Sequence, residues 1–199
     1  MNIFPEILSD ENVKESHTGF SNALLNLSSK HINPENFETL TRIYKSTKQI
    51  HYRNKILKLL YDFPNPELQQ FFEQAYKKER YLDMKIYALR GLAQFSDEKE
   101  IEKLISKLKP ILAKREETTP YNYQEYELLR GKNALPFMVE KYGYECFKDL
   151  LKQVNEQYER MPDAFKGHIT TGESGEIVCL RPASESSAMI RAFFDRQKI

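Results

Sequence analysis

The feature that most constrains this chain is an interval of 32 residues. Three helix-start residues, Asn33, Asn65 and Asp97, stand 32 apart, and seven positions beyond each lies Leu40, Phe72 or Leu104. Phe63 and Phe95 precede the second and third of these starts by two positions, and the pairs Leu24-Leu25, Ile56-Leu57 and Ala88-Leu89 share one phase. Each interval holds two segments of helical apolar spacing, so the pattern is helix, turn, helix, renewed every 32 residues. A single helix pair cannot bury its apolar face alone, whereas stacked pairs bury a continuous core. The interval predicts a mainly α chain arranged as a short α-solenoid.

The unit at Leu82–Leu104 is the best formed. At about 100° per residue, Leu82, Met84, Ile86, Ala88, Leu89, Leu92, Ala93 and Phe95 cover most of the helix circumference. A narrow polar arc remains, Asp83, Tyr87, Arg90 and Gln94, and it is expected to face solvent. Gly91 inside this helix predicts close approach by a neighbouring helix, which offsets a cost of about 1 kcal/mol relative to Ala. Asp97 with Glu100 has the spacing of a capping box with Asp in place of Ser or Thr.

The remaining units follow in order. A short helix over Glu6–Lys14 and another over Phe20–Lys30 are expected, separated by a break at His17-Thr18-Gly19. Asn33-Pro34-Glu35 and Asn65-Pro66-Glu67 read as cap, first-turn proline and first-turn acid. Glu98–Lys114 is a long helix that Pro110 ends or kinks, followed by a polar connection at 115–118. Thr119-Pro120 starts a helix to about Tyr142, kinked at Pro136; Gly143 stops it, and Tyr144–Tyr158 resumes. From Met161 the character changes, and a hairpin of His168–Thr171 with Glu176–Leu180 is expected. Ser184 or Ser186 caps a last helix carrying Met189, Ile190, Phe193 and Phe194, which covers the end of the array. The expected organisation is one domain, with a helical array over 1–160 and the hairpin plus capping helix over 161–199.

The residues Asp83, Ala88-Leu89-Arg90-Gly91-Leu92 and Phe95-Ser96-Asp97, with Ile101 and Leu104, resemble a HEAT-type repeat. The resemblance is carried by this unit and is matched in phase by the others over about 20–158. It implies a short right-handed α-solenoid of HEAT-like helix pairs, with a curved protein-binding surface lined by the second helix of each pair. It implies no chemistry. The C-terminal hairpin is not a repeat feature.

Subtracting 32 from the polar arc gives His51, Lys55, Lys58 and Asp62, all polar, and this places Lys55 beside Tyr87 and Lys58 beside Arg90. Aligning the last unit on Phe95 and Tyr142 adds Arg130 and, one turn before it, Glu127. The candidate binding stripe is thus His51, Lys55, Lys58, Asp83, Tyr87, Arg90, Gln94, Glu127 and Arg130, with Tyr87 and Arg90 as its anchors. The competing reading is that any solenoid helix shows a polar line to water.

Charge and motifs exclude much else. The formal net charge is +1, although 48–115 carries 15 Lys and Arg against 9 Asp and Glu, and 116–165 carries 6 against 10. The four histidines form no HxxxH or HExxH, so neither metal nor cofactor is expected. Gly172-Glu173-Ser174-Gly175 has neither nucleophile-elbow nor phosphate-loop spacing and reads as a hairpin turn. Cys146 and Cys179 lack a CxxC and read as core residues in a reducing compartment. No apolar run approaches the ~20 residues of a membrane span. The expectation is a soluble cytoplasmic, non-enzymatic module that grips one protein partner, with an inhibitor or toxin-neutralising immunity protein among its roles. The alternative is a nucleic-acid-binding or base-repair protein using a basic groove between Arg53 and Arg90. A third reading places an enzyme site at the hairpin with His168 and Arg181.

Overall fold

The computed structural model describes residues 4–118, 123–172 and 176–197, leaving aside the side chains of 115–118 and of 123. The chain is mainly helical with one small antiparallel sheet. The helices are α1 (Glu6–Ser9), α2 (Thr18–Asn26), α3 (Phe37–Ser46), α4 (Ile50–Leu60), α5 (Leu68–Lys78), α6 (Leu82–Leu92), α7 (Glu98–Thr118), α8 (Tyr123–Arg130), α9 (Leu135–Tyr142), α10 (Glu145–Arg160) and α11 (Ala183–Gln197). The strands are β1 (Ile169–Thr171) and β2 (Ile177–Cys179). Among the described residues no helix is long and apolar enough to cross a membrane.

Backbone contacts divide the chain into two units. The first holds residues 1–80 and 87–95, and the second holds 81–86 and 96–199. Helix α6 contributes its last residues to the first unit and its first residues to the second.

The 32-residue interval reappears in the elements. Helices α2, α4 and α6 start at Thr18, Ile50 and Leu82. The three predicted start residues share a device. Asn33 Oδ1 accepts from Glu35 N at 2.9 Å, Asn65 Oδ1 from Glu67 N at 3.0 Å, and Asp97 Oδ1 from Glu100 N at 2.9 Å. At Asp97 the bond satisfies a backbone donor that the start of α7 leaves orphaned. At Asn33 and Asn65 the bond closes a turn first, so α3 and α5 begin at Phe37 and Leu68, later than the Asn-Pro-Glu signature suggests.

Within the first unit, α1 packs on α2, α2 on α4, and α3 on α4. Leu24, Leu40, Ile56, Leu57, Leu60, Leu68, Phe72, Ala88 and Leu89 are its wholly buried core. A Cβ built on Gly91 would overlap the Phe72 ring, so the glycine is where α5 and α6 touch. In the second unit α10 is the hub, packing on α7, α8 and α9. Ile101, Leu108, Leu112, Tyr126, Leu129, Phe147, Leu150 and Val154 are fully buried there. Glu98 Oε1 caps α10 by accepting from Glu145 N at 2.6 Å and Cys146 N at 3.3 Å.

Several boundaries differ from expectation, each for a local reason. His17 caps α2 through Nδ1, which accepts from Gly19 N at 3.1 Å, so His17-Thr18-Gly19 begins a helix. Helix α1 ends at Ser9, before the expected Lys14, and α2 ends at Asn26, before Lys30. Pro110 lies inside α7 without ending it, and the helix runs on through 115–118. Pro136 falls in the first turn of α9, where a missing N–H costs nothing; α8 and α9 are separate helices. The predicted start at Thr119-Pro120 and the turn residues Glu173, Ser174 and Gly175 lie outside the described residues. Gly143 ends α9 with φ of 69°, a left-handed conformation suited to glycine.

The hairpin agrees with expectation: Ile169 pairs with Cys179, Thr170 with Val178 and Thr171 with Ile177. Its two strands differ sharply. β1 packs against α8 and is largely buried, while β2 is exposed at every residue. Cys179 is therefore exposed and not core; a two-stranded sheet covers only the strand that has a helix behind it. Helix α11 starts ahead of the expected serine caps, packs on the turn at Asp163–Phe165, and buries only Ser186.

Replacing Gly91 by Ala is expected to destabilise the protein by about 1–3 kcal/mol, because Phe72 must leave its rotamer or the helices must part. Urea unfolding followed by circular dichroism measures this; an unchanged midpoint would show that the contact yields freely.

Candidate functional site

The polar arc of α6 is buried, contrary to expectation. Asp83, Tyr87 and Arg90 are each less than 10% exposed, and Gln94 is half-buried. The helix is covered on nearly every side, and an apolar surface that broad leaves no open channel for its polar line.

In the first unit these side chains form a knot with the end of α4. Arg90 pairs with Asp62, with Nε 2.9 Å from Oδ1 and a second contact from Nη2 to Oδ2. The guanidinium lies over the Tyr61 ring, 3.8 Å from its centroid. Gln94 Nε2 donates to Tyr61 O at 2.6 Å. Lys58 Nζ sits 5.1 Å from the centre of the Tyr87 ring, which meets Tyr61 edge-on at 6.0 Å. The pairing thus differs from the expected register: Lys58 meets Tyr87, and Arg90 meets Asp62. Burial pushes the Tyr61 phenol pKa up, opposed by Arg90. A cavity of about 220 Å³ opens beside the knot, lined by Ser29, Lys30, Lys58, Leu59, Tyr61, Asp62 and Phe63.

A second knot joins α3, α4 and the end of α5. Tyr44 OH donates to Glu79, and Arg53 Nε donates to Glu79 Oε1 at 2.8 Å. Burial first, then the bond to Glu79, drives the Tyr44 pKa strongly upward, so the phenol stays neutral and donates. Of the remaining stripe residues here, His51 is exposed and packs edge-on against Tyr52 at 4.3 Å. Lys55 is half-buried, and burial lowers its pKa. The guanidinium groups of Arg53 and Arg90, expected to bound a basic groove, are both paired with carboxylates of the same unit, the buried Glu79 and the exposed Asp62.

The second unit holds Asp83, Glu127 and Arg130. Glu127 is buried, and its Oε1 accepts from Tyr158 OH and, at 2.6 Å, from Gly167 N. Arg130 stacks on the Tyr158 ring at 3.7 Å and donates to Asn155 Oδ1 at 2.9 Å. Burial, then the bond to Glu127, pushes the Tyr158 pKa up to about 12. The phenol-to-carboxylate bond repeats that of Tyr44 and Glu79, whereas Arg130 packs on the phenol ring and pairs with Asn155 and Glu159.

His168 and Arg181 are also brought together. Ser186 Oγ lies 2.7 Å from His168 Nδ1 and accepts from Arg181 Nε at 3.1 Å. Arg181 further donates to Met189 Sδ at 3.0 Å and to Lys166 O. The serine is buried, so this group fastens the hairpin to α11.

What the sequence did not single out is the outer edge of β2. Ile177, Val178 and Leu180 are 54%, 38% and 55% exposed, the largest run of exposed apolar side chains among the described residues. Gly172 N donates to Glu176 O and Leu180 N to His168 O, each at 2.8 Å, so Glu176, Val178 and Leu180 address β1. Alternation in an antiparallel ladder then turns the N–H and C=O of Ile177 and Cys179 outward. The signal was present as four consecutive apolar residues in a two-stranded hairpin, too small a sheet to cover both faces.

Comparison with protein-family models, with curated proteins and with solved structures returns no match.

Two outcomes follow from these geometries. Asp62→Asn strands a buried guanidinium, while Arg90→Met leaves a carboxylate that is 42% exposed and can hydrate. The first should cost about 2–3 kcal/mol in urea unfolding and the second distinctly less; the reverse order would contradict the asymmetry. Thiol chemistry should separate the cysteines. Burial, then Glu98 and Glu102, pushes the Cys146 pKa up to about 11. At pH 8 one thiol per folded chain, Cys179, should react with a disulfide reagent. Because the folded pKa is raised, the Cys146 contribution to stability is complete below the unfolded value near 9 and is lost as pH rises through about 11. Two equally fast thiols in native protein would refute this.

Proposed function

We propose that the chain is a non-enzymatic protein-binding module of HEAT-like helix pairs, arranged as a short right-handed solenoid, that engages one protein partner by strand addition at β2. The repeat reading is supported by helix starts at Thr18, Ile50 and Leu82 and by side-chain-to-backbone bonds at Asn33, Asn65 and Asp97, 32 residues apart. The binding reading is carried by one observation: β2 is apolar, exposed at every residue and paired on one edge only. Outward N–H and C=O groups supply main-chain affinity for an extended segment, and Ile177 and Val178 offer apolar contacts on opposite faces. The Tyr87 and Arg90 anchors of the expected stripe are internal, so recognition moves from the helix array to the hairpin. A single gripped partner suits an inhibitor, the toxin-neutralising immunity role included.

The test exploits the ladder. Cys179→Pro removes an outward donor and none that reaches β1, and proline is tolerated at a sheet edge. Affinity capture from the source cell with wild-type protein should recover one protein in stoichiometric amount. Capture should be lost with Cys179→Pro and with Ile177→Lys, both folded by circular dichroism, and kept with Arg90→Met. Equal capture by wild type and Cys179→Pro would overturn strand addition, and a captured toxin would assign the inhibitory role.

A further inference from the structure

Helix α7 presents two opposite faces. Ile101, Ile105, Leu108 and Leu112 are buried, and the helix packs on α10 through them. At about 100° per residue, Lys99, Lys103 and Lys107 fall within an arc of about 80° on the other side. All three are exposed, and none forms an ion pair among the described residues. Lys114, also exposed, lies in the same arc. Glu100 and Glu102 flank the arc without pairing to these lysines. Lysines at i, i+4 and i+8 repel one another on a helix, so this spacing weakens α7 as an isolated element. A solvated face that served stability would alternate signs at that spacing.

We propose that the exposed face of α7 binds the phosphate backbone of duplex nucleic acid through Lys99, Lys103 and Lys107, independently of base sequence. The chemistry selects this occupant. The lysines rise about 6 Å per step and about 12 Å in all along a straight helix, a row of point charges suited to a repeating anionic lattice. The whole sequence of α7 contains no aromatic residue, so it offers no platform on which unpaired bases would stack. Among the large apolar residues of α7 that the structure describes, Ile111 alone is exposed, at 42%, and it stands at the margin of the arc; a membrane-surface helix requires a continuous apolar face there. The contact is separate from β2 and does not depend on the strand-addition reading.

The experiment is fluorescence anisotropy of the full chain with a labelled 20-base-pair duplex of arbitrary sequence at several salt concentrations. Three phosphate contacts predict a slope of log K against log salt of about −2.7, or about a 40-fold loss between 50 and 200 mM. Each of Lys99→Gln, Lys103→Gln and Lys107→Gln should reduce the slope by about 0.9, with helix content and thermal midpoint no lower than wild type's, because the side chains are exposed and their mutual repulsion is relieved. Cys179→Pro should bind the duplex as wild type does. A slope near zero, a slope unchanged in the triple variant, tighter binding of the matching single strand, or binding of anionic phospholipid vesicles in place of duplex would overturn the proposal.

Discussion

Burial of Arg90 against Asp62 and Tyr61 sets the terms for the rest of the first unit. A guanidinium cannot give up its charge, so a helix that places one inside must bring a carboxylate to it. Asp62 stands just beyond α4, and holding it there fixes how the ends of α4 and α6 meet. Tyr61 adds its ring to the guanidinium plane and its carbonyl to Gln94. Gly91, next in sequence to Arg90, lets the Phe72 ring close in. Polar pairing and close apolar packing are thus imposed within one turn of α6.

Related partners recur elsewhere: Tyr44 and Arg53 both donate to Glu79, and Tyr158 donates to Glu127 while Arg130 stacks on its ring. A buried carboxylate needs donors; a phenol with an arginine supplies them at Glu79, and a phenol with the Gly167 N–H supplies them at Glu127. Burial raises the phenol pKa, which keeps the hydroxyl proton available to the carboxylate. Twelve tyrosines with no tryptophan fit this use, since a phenol both fills space and closes a polar network, whereas an indole only donates.

This pattern explains what could and could not be read from the sequence. Interval, the Asp97 cap and the glycine contact were legible because each depends on residues a fixed distance apart along the chain. Leu82 begins α6, Asp97 caps α7 and Gly91 receives Phe72. The fate of Tyr87 and Arg90 was not legible, because a helical arc gives a direction and not a neighbour. The arc pointed toward Asp62, which was itself counted among the polar line when its role was to neutralise Arg90. The effect of Pro136 depends on whether a helix runs through it or starts at it, and the signal that decides this is Gly131 directly after Arg130, with Asn133 two residues on. Cys179 lies in an apolar run that reads as core, yet the hairpin has a helix behind one strand only.

That asymmetry of the hairpin is the structural fact that most needs a reason. β1 is held by α8, where Gly131 leaves space for Thr171, and Asn133 Nδ2 donates to Gly172 O at 2.8 Å. β2 is held from one side, by the ladder and by Arg181 reaching Lys166 O and Ser186. Edge strands are normally blunted by charge, proline or a bulge. Here Glu176 and Arg181 bracket the strand, but Ile177 through Leu180 carry no charge and no proline. Arg181 is turned inward to α11, so even the charge at that end does not guard the edge. The consequence is an extended backbone already ordered before anything binds it. An incoming segment would bear the ordering cost of one strand only, which is the condition under which so short an edge can contribute useful affinity.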